Sequence, residues 1–210
     1  MKKLAASFGR NDVEILQRET AYEGFFQLQK LTLKHRLFEG GWSAPLTREL
    51  FIRDAAACVL LYDPWQDRVV LIEQFRVGAL LDSTGPWLVE LVAGIIEPGE
   101  SDEAVATRES REEAGAEVLA LYPICHYHVS PGGSQEKIHL MCAQVDSTGL
   151  GGFHGLEHEG EDIRVTSVTR QQAYTAVQSG RICNAPTIIA LQWLQLNWQQ
   201  LQTQWLKHEQ

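Results

Sequence analysis

The first fifty residues alternate between apolar and polar positions. Leu31, Leu33 and Leu37 are separated by polar neighbours, which is the period of a half-buried strand. The segment 39–41, Glu-Gly-Gly, has the composition of a turn. This part of the chain is therefore predicted to be a β-rich extension over residues 1–50.

From residue 55 the apolar positions lengthen into continuous runs. The runs 55–61 and 69–74 have the length of strands, and the turn-like segment 63–67 joins them, which predicts a β-hairpin. Further strands are predicted at 88–93, 118–126, 138–145 and 163–167.

Helix signals lie between these runs. Ser101 can cap a helix over 101–114, and Gly115 suits the position just after its end. The segment 169–172 is a capping box that opens a second helix, which should stop at Gly180. A third helix should start at Pro186 and run to about Leu206, with one apolar stripe formed by Ile188, Leu191, Leu194, Trp198, Leu201 and Trp205.

Strands and helices are mixed without a regular βαβ alternation, which favours an α/β layered sandwich over a doubly wound sheet. A chain of 210 residues can hold one large domain with an extension. We therefore divide it into the extension at 1–50 and a main domain at 51–210.

The charge balance limits the classes of function that the chain can have. Lysine and arginine total 18, aspartate and glutamate total 27, and the formal net charge is −9. Such a chain is not expected to bind a nucleic-acid backbone, which needs a positive face. An acidic enzyme can still act on phosphates if divalent metal ions are present.

The compartment is expected to be the cytoplasm. The basic N-terminus is not followed by a long apolar run, so we expect no signal peptide, and no segment is apolar enough to cross a membrane. The cysteines, which we expect to be free thiols, are widely scattered and form no zinc-binding pair: Cys58, Cys125, Cys142 and Cys183.

The most informative segment places three acids on one helix face. Glu109, Glu112 and Glu113 are three and four residues apart, so their like charges repel, and Arg108 can pair with Glu112 but cannot neutralise all three. A hard cation such as Mg²⁺ would explain the crowding, since it prefers carboxylate oxygens and also binds phosphates. A merely solvated acidic face is the alternative for the acids taken alone.

The spacing of this segment resembles the Nudix box, G-x5-E-x7-R-E-U-x-E-E-x-G-U, in which U is a bulky aliphatic residue. Two U positions hold the smaller Ser110 and Ala116, which should affect helix packing but not metal ligands. The resemblance implies a Nudix α/β/α sandwich with a mixed sheet that cleaves a diphosphate with Mg²⁺, for which Mn²⁺ could substitute. The matching positions are Gly94, Glu100, Arg108, Glu109, Glu112, Glu113 and Gly115.

The flanking segments are similar to the ADP-ribose pyrophosphatase subfamily over nearly the whole chain. Pro131 lies sixteen residues after Gly115, where that subfamily carries a marker proline. The resemblance implies hydrolysis of ADP-ribose to AMP and ribose 5-phosphate. It also implies a homodimer in which the N-terminal extension is exchanged and each active site is built from both chains.

The same resemblance implies roles for individual residues. The Ala93 carbonyl, Glu109, Glu113 and Glu161 would bind metal, and Glu159 would accept a proton from the attacking water. Glu112 is a weaker candidate ligand. The glycine-rich loop 146–162 would close these acids over the substrate.

The resemblance also implies contacts with both ends of the substrate. Phe25 and Phe26 would lie against the adenine, and Arg76 would contact a phosphate. The remaining expected substrate-binding residues are Arg48, Glu49 and Arg53 on the adenosine side, Ile95, and Ser130, Pro131, Gly132 and Glu136 around the terminal ribose.

Two rival functions remain open from the sequence. A Nudix enzyme for another nucleoside-diphosphate sugar, such as GDP-mannose, would have the same metal site. A non-catalytic Nudix domain that senses ADP-ribose is the second rival, but it would not need the complete set of acids.

Overall fold

The structure, a computed structural model, describes residues 4–206 of the chain. Within that range there are eleven strands and three α-helices, divided between two compact units. The first unit contains the chain up to Asp54 together with His128–Glu136. The second contains Ala55–Tyr127 and the chain from Lys137 onward.

The strands are β1 (Val13–Glu23), β2 (Gln27–His35), β3 (Leu46–Ile52), β4 (Ala56–Asp63), β5 (Arg68–Phe75), β6 (Trp87–Glu90), β7 (Val92–Ile95), β8 (Ala120–His128), β9 (Lys137–Gln144), β10 (Gly152–His154) and β11 (Ile163–Thr169). The helices are α1 (Asp102–Ala114), α2 (Arg170–Gln178) and α3 (Ala185–Leu206). None of the described helices is both long and apolar enough to span a membrane.

The first unit is built on the antiparallel sheet β1–β2–β3. The predicted strand around Leu31 and Leu33 is β2, but Leu37 lies beyond its end and is exposed, so the alternation was extended too far. The segment 128–136 joins this unit because the Phe51 amide donates to the Gly133 carbonyl at 2.8 Å.

The second unit is a mixed sheet in the order β10-β11-β5-β4-β9-β8, with β6 beside β5 and β7 beside β4. Strands β4 and β9 are parallel, whereas β4 and β5 form the predicted antiparallel hairpin. The predicted α/β sandwich with a mixed sheet is confirmed.

Both faces of this sheet are buried, which explains the unbroken apolar runs. Leu60 and Tyr62 of β4 face the core that includes Leu191 and Leu194 of α3. Their neighbours on the same strand face the opposite core with Val105, Ala106 and Ala114 of α1, the helix that carries the clustered acids: Ala57, Val59 and Leu61.

The predicted helix ends are largely confirmed. Ser101 accepts a hydrogen bond from the Ala104 amide, and Gly115 ends α1 in the left-handed region at φ 62°. Thr169 and Gln172 form the capping box of α2. Helix α3 starts one residue before Pro186.

The predicted strands at 88–93 and 118–126 have different bounds in the structure. The run 88–93 is divided into β6 and β7, because β6 pairs with β5 while β7 pairs with β4, and the buried Leu91 lies between them. Apolarity alone cannot show such a change of partner strand. Strand β8 begins at Ala120 rather than at residue 118.

Candidate active site

Helix α1 is attached to the sheet through a buried carboxylate. Glu113 is only 2% exposed, and its Oε2 accepts a hydrogen bond from the Ala93 amide at 2.9 Å. Ala93 lies in β7 and is paired with Cys58 of β4. The last turns of α1 are therefore held against a strand that is fixed within the sheet.

Burial makes this carboxyl group hard to ionise. It raises the pKa of Glu113 to about 8, opposed by the Ala93 hydrogen bond and reinforced by the negative charges of Glu109 and Glu161. Arg76 lowers the pKa only weakly by comparison. Without a cation, Glu113 is thus mainly protonated at neutral pH.

The neighbouring Glu109 experiences the same crowding. Burial raises its pKa, Arg108 opposes the shift, and the charges of Glu112 and Glu161 add to it. Glu161 comes from the distal loop before β11, yet it acts electrostatically on both helix acids. The structure therefore brings the three predicted metal-binding carboxylates into one acidic cluster. The fourth predicted group, the backbone of Ala93, lies beside Glu113.

Gly94 makes room for this cluster. A Cβ atom placed on Gly94 would collide with the carboxylate of Glu109. The first glycine of the motif is therefore required for space, and any side chain there would displace Glu109.

Arg108 organises the remaining acids of the motif. Its guanidinium lies 2.7 Å from Glu109 Oε1, 3.0 Å from Glu112 Oε2 and 3.8 Å from Glu100 Oε2. The predicted pairing of Arg108 with Glu112 is confirmed. Glu112 contacts this arginine, whereas Glu113 contacts the Ala93 amide, so the two acids have different partners.

The two small residues in the motif fit the packing of α1. Ser110 is fully buried, and its hydroxyl donates to the Ala106 carbonyl at 2.6 Å, which satisfies the polar atom within the helix. Ala116 is also buried in the core beneath α1.

The distal loop separates its two candidate acids. Glu161 Oε2 accepts a hydrogen bond from the Leu156 amide at 3.1 Å, which fixes its carboxylate near the helix acids. The Glu159 side chain is 54% exposed and lies 3.5 Å from His158. Among the described residues, no hydrogen bond or ion pair joins Glu159 to α1.

Arg76 has a partner that the sequence prediction missed. Its Nε lies 2.7 Å from Glu90 Oε2, and burial raises the pKa of Glu90 against the opposing effect of Arg76. Glu90 is a lone acid in the apolar run 88–93, and that was the sequence signal that could have indicated a buried partner for a basic residue.

Ile95, another predicted substrate-binding residue, lies at the end of β7 and is 43% exposed.

The first unit assembles a separate aromatic and charged group. The Phe26 ring packs on Phe51 with centroids 5.1 Å apart, and the Arg53 guanidinium lies 4.8 Å from the centre of the Phe26 ring. Glu136 pairs with Arg53 at 3.3 Å. Phe51 was not among the predicted residues, although it is an aromatic residue two positions before Arg53 in the sequence.

The other predicted residues of this unit are more exposed. Phe25 is 87% exposed and touches Phe26 edge-on. Arg48 and Glu49 are both exposed on β3. The loop that contains Ser130, Pro131 and Gly132 is closed by hydrogen bonds from the Gly133 and Ser134 amides to the Ser130 carbonyl.

Comparison with known proteins decides the family. The model of the NUDIX domain matches residues 52–188, well over half of the chain. The chain belongs to the Nudix family. The family motif falls on the loop and helix that hold the acidic cluster.

Close relatives extend beyond the Nudix domain. The chain is 52% identical over 202 residues to the ADP-ribose pyrophosphatase of Escherichia coli strain K12, covering 96% of this chain and 97% of that protein. It is 50% identical over 201 residues to the ADP-ribose pyrophosphatase of Haemophilus influenzae, covering 94% and 93%. A GDP-mannose pyrophosphatase of Yersinia pestis is 32% identical over 193 residues, covering 88% and 92%.

A solved structure agrees with the fold. The crystal structure of an ADP compounds hydrolase matches with a TM-score of 0.67 at 21% identity, covering 91% of this chain and 98% of that one. Nudix hydrolases generally use divalent metal ions. The oxygen-only donor set of Glu109, Glu113 and Glu161 suits a hard divalent cation, which would offset the burial and like-charge repulsion that raise the pKa values of Glu109 and Glu113.

Replacing Gly94 tests whether space for Glu109 matters for the cation. In Gly94→Ala, the new methyl group should displace the flexible Glu109 side chain while leaving β7 paired, so Mn²⁺ affinity should fall by about tenfold or more. The measurement is Mn²⁺ binding followed by electron paramagnetic resonance.

Gly78→Ala is the matched control, because a Cβ on Gly78 meets no atom within 4 Å. It should bind Mn²⁺ like the unmodified protein. Equal affinity in both variants would contradict the assignment of Glu109 to the cation site.

Proposed function

We propose that this Nudix protein is an ADP-ribose diphosphatase that hydrolyses ADP-ribose to AMP and ribose 5-phosphate. The observation that carries the proposal is identity of 52% and 50% to two ADP-ribose pyrophosphatases over nearly the full length of each. The complete acidic cluster supports a hydrolase over a domain that only binds its ligand. The 32% identity to a GDP-mannose pyrophosphatase makes that sugar nucleotide the main alternative substrate.

We propose Mg²⁺ as the resident cation, with Mn²⁺ as a substitute. Glu109, Glu113, Glu161 and the Ala93 carbonyl would hold it. When bound, such an ion neutralises phosphate oxygens and lowers the pKa of a coordinated water. The raised pKa of Glu113 supports this role, since a cation would favour the ionised carboxylate that the free protein disfavours.

Other side chains would bind and orient the substrate. Phe26, held by Phe51 and Arg53, offers an aromatic face for the adenine, and the exposed Phe25 could add a second face. Arg76 would bind a phosphate through its guanidinium fork, after exchanging part of its contact with Glu90.

The remaining predicted substrate residues keep their roles as part of this proposal. They are Arg48 and Glu49 on the adenosine side, Ile95, and Ser130, Pro131, Gly132 and Glu136 at the terminal ribose.

Glu159 is the proposed proton acceptor for the attacking water. Its exposure and its place in a short turn that ends at Gly160, in the left-handed region at φ 72°, suit a side chain delivered by loop movement. In the present structure its carboxylate is solvated, so the role requires the loop to close.

We also propose that the chain works as a homodimer. Strand β1 is exposed along all eleven of its residues, four of which are large and apolar. Coverage of this surface by a second copy would remove them from water: Val13, Ile15, Leu16 and Tyr22. The four cysteines, all among the described residues, are thiols and not disulfides, which supports a cytoplasmic location.

A substrate panel tests the proposed activity. With Mg²⁺ and equal concentrations of ADP-ribose, other ADP-sugars and GDP-mannose, ADP-ribose should give the highest kcat/KM, with AMP and ribose 5-phosphate as products. A preference for GDP-mannose would establish the alternative substrate instead.

Glu113→Gln tests the cation site in the same assay. The variant should lose on the order of 10² to 10⁴-fold in kcat and require more Mg²⁺, which is the scale for loss of one charged group at a reaction centre. Glu117→Gln removes an exposed acid just after α1 and should retain full activity. Unchanged turnover of Glu113→Gln at low Mg²⁺ would refute the assignment.

Substitutions of the two acids in the distal loop, Glu159 and Glu161, should have different kinetic effects. Glu159→Gln should lower kcat by roughly 10²-fold with little change in KM, and excess Mg²⁺ should not rescue it. Glu161→Gln should raise the Mg²⁺ requirement and recover partly when Mg²⁺ is added.

The opposite pattern would exchange the two roles. If both variants keep wild-type kinetics, the proton acceptor must be sought among the helix acids, or metal-bound hydroxide would act alone.

Changing β1 tests the dimer. Ile15→Glu and Tyr22→Glu together should convert a protein that sediments at twice 23.6 kDa into one that sediments at that mass, because charges would oppose burial of the strand. Glu14→Gln alters the same strand without adding a charge and should leave the mass unchanged. Sedimentation of the unmodified chain at 23.6 kDa would contradict the proposal.

A further inference from the structure

Two histidines and an aspartate converge at the start of α1, on residues that the Nudix motif does not use. His139 Nδ1 lies 2.9 Å from Asp102 Oδ2, and His126 Nε2 lies 3.8 Å from the same oxygen. The two imidazole rings are stacked, with centroids 4.0 Å apart. One ligand atom from each of these residues lies within 4.8 Å of the other two.

The fold explains why these residues meet. His139 lies in β9 between Ile138 and Leu140, which both face the core of α3, so its ring is on the α1 side of the sheet. His126 lies in the edge strand β8, between two residues that also pack against the α3 core, Cys125 and Tyr127. Its ring is therefore on the α1 side as well.

The cluster is separate from the acids of the Nudix motif. Asp102 is the first residue of α1, and Glu109 follows seven residues later, which corresponds to about 10 Å along the helix axis. A favourable interaction with the helix dipole would explain Asp102 alone. It would not explain two histidine rings on two strands that converge on that carboxylate.

The spacing of the three groups suits one metal ion. In a tetrahedral zinc site, with metal–ligand distances of about 2.0–2.2 Å, neighbouring ligand atoms are roughly 3.3 Å apart. The observed separations of 2.9 Å and 3.8 Å lie on either side of that value. Small rotations of the two rings would bring both nitrogens to a common ion.

We propose that Asp102, His126 and His139 form a second metal site, selective for a borderline transition ion of the Zn²⁺ class over Mg²⁺. Imidazole nitrogens suit Zn²⁺, Co²⁺ and Ni²⁺, whereas Mg²⁺ prefers an all-oxygen shell. Three protein ligands leave one position for water or another small ligand. The His126 side chain is 57% exposed, which leaves the site open to solvent.

Metal at this site would join the first turn of α1 to strands β8 and β9. Because the ion would bind the folded chain and not an equivalent site in the unfolded chain, it would raise the melting temperature. The acids of α1 lie further along the same helix, so the ion would also stiffen the element that carries them.

The experiment is a titration of tag-free protein with ZnCl₂ by isothermal calorimetry, with a thiol-free reductant and excess Mg²⁺ to occupy the Nudix acids. One Zn²⁺ should bind per chain. His126→Ala, His139→Ala and Asp102→Asn should each weaken that binding by at least about tenfold, since even loss of a residue that only supports a ligand commonly costs that much.

His128→Ala is the matched control, because it removes another exposed histidine from strand β8. It should retain Zn²⁺ binding and the Zn²⁺-dependent rise in melting temperature. His126→Ala provides the sharpest loss variant, since an exposed ring can be removed without disturbing the core; its metal-free melting temperature should match that of the unmodified chain.

The absorption spectrum of bound Co²⁺ tests whether the metal binds at the exposed Cys183 instead. Bound Co²⁺ should show its visible d–d bands without the thiolate charge-transfer band that a cysteine ligand would add. Absence of Zn²⁺ binding under excess Mg²⁺, or binding that persists equally in all three ligand variants, would overturn the proposal and leave Asp102 and His139 as a hydrogen-bonded pair only.

Discussion

The buried carboxyl group of Glu113 is the constraint on which the rest of the site depends. Its hydrogen bond from the Ala93 amide attaches α1 to the sheet, and its burial raises its pKa to about 8. Without a cation, the folded chain therefore holds a proton that the unfolded chain releases near its ordinary pKa of 4.5. This group lowers the stability of the metal-free protein as pH rises between those two values. A divalent cation would replace the proton and remove that cost.

The other motif residues make this arrangement possible. Gly94 leaves the space into which Glu109 extends, and Arg108 pairs with Glu112 and Glu100 as well as with Glu109. Arg108 therefore offsets the charges of Glu100 and Glu112 and part of the charge of Glu109, whereas no ion pair among the described residues reaches Glu113 or Glu161. A metal ion would gain the most from binding at Glu113 and Glu161, beside Glu109.

Much of this could be predicted from the sequence because the relevant interactions are local. Three of them belong to α1: its cap at Ser101, its end at Gly115 and the pairing of Arg108 with Glu112. Each joins residues that are about one helical turn apart. The division of the run 88–93 into two strands depends on two different partner strands, so the local pattern could not show it. The partnership of Arg76 with Glu90 and the stacking of Phe26 on Phe51 likewise depend on tertiary contacts. The cluster of Asp102, His126 and His139 joins three elements at spacings that match no linear motif.

Nuclear magnetic resonance of the Glu113 carboxyl carbon tests the central claim most directly. The chain would be labelled with ¹³C at glutamate side-chain carboxyl groups, and the Glu113 signal would be identified by its loss in Glu113→Gln. In the presence of EDTA the signal should titrate with a midpoint near 8, and with saturating Mg²⁺ it should remain that of an ionised carboxylate through neutral pH. A midpoint near 4.5 without metal, or a titration that Mg²⁺ does not change, would contradict the account.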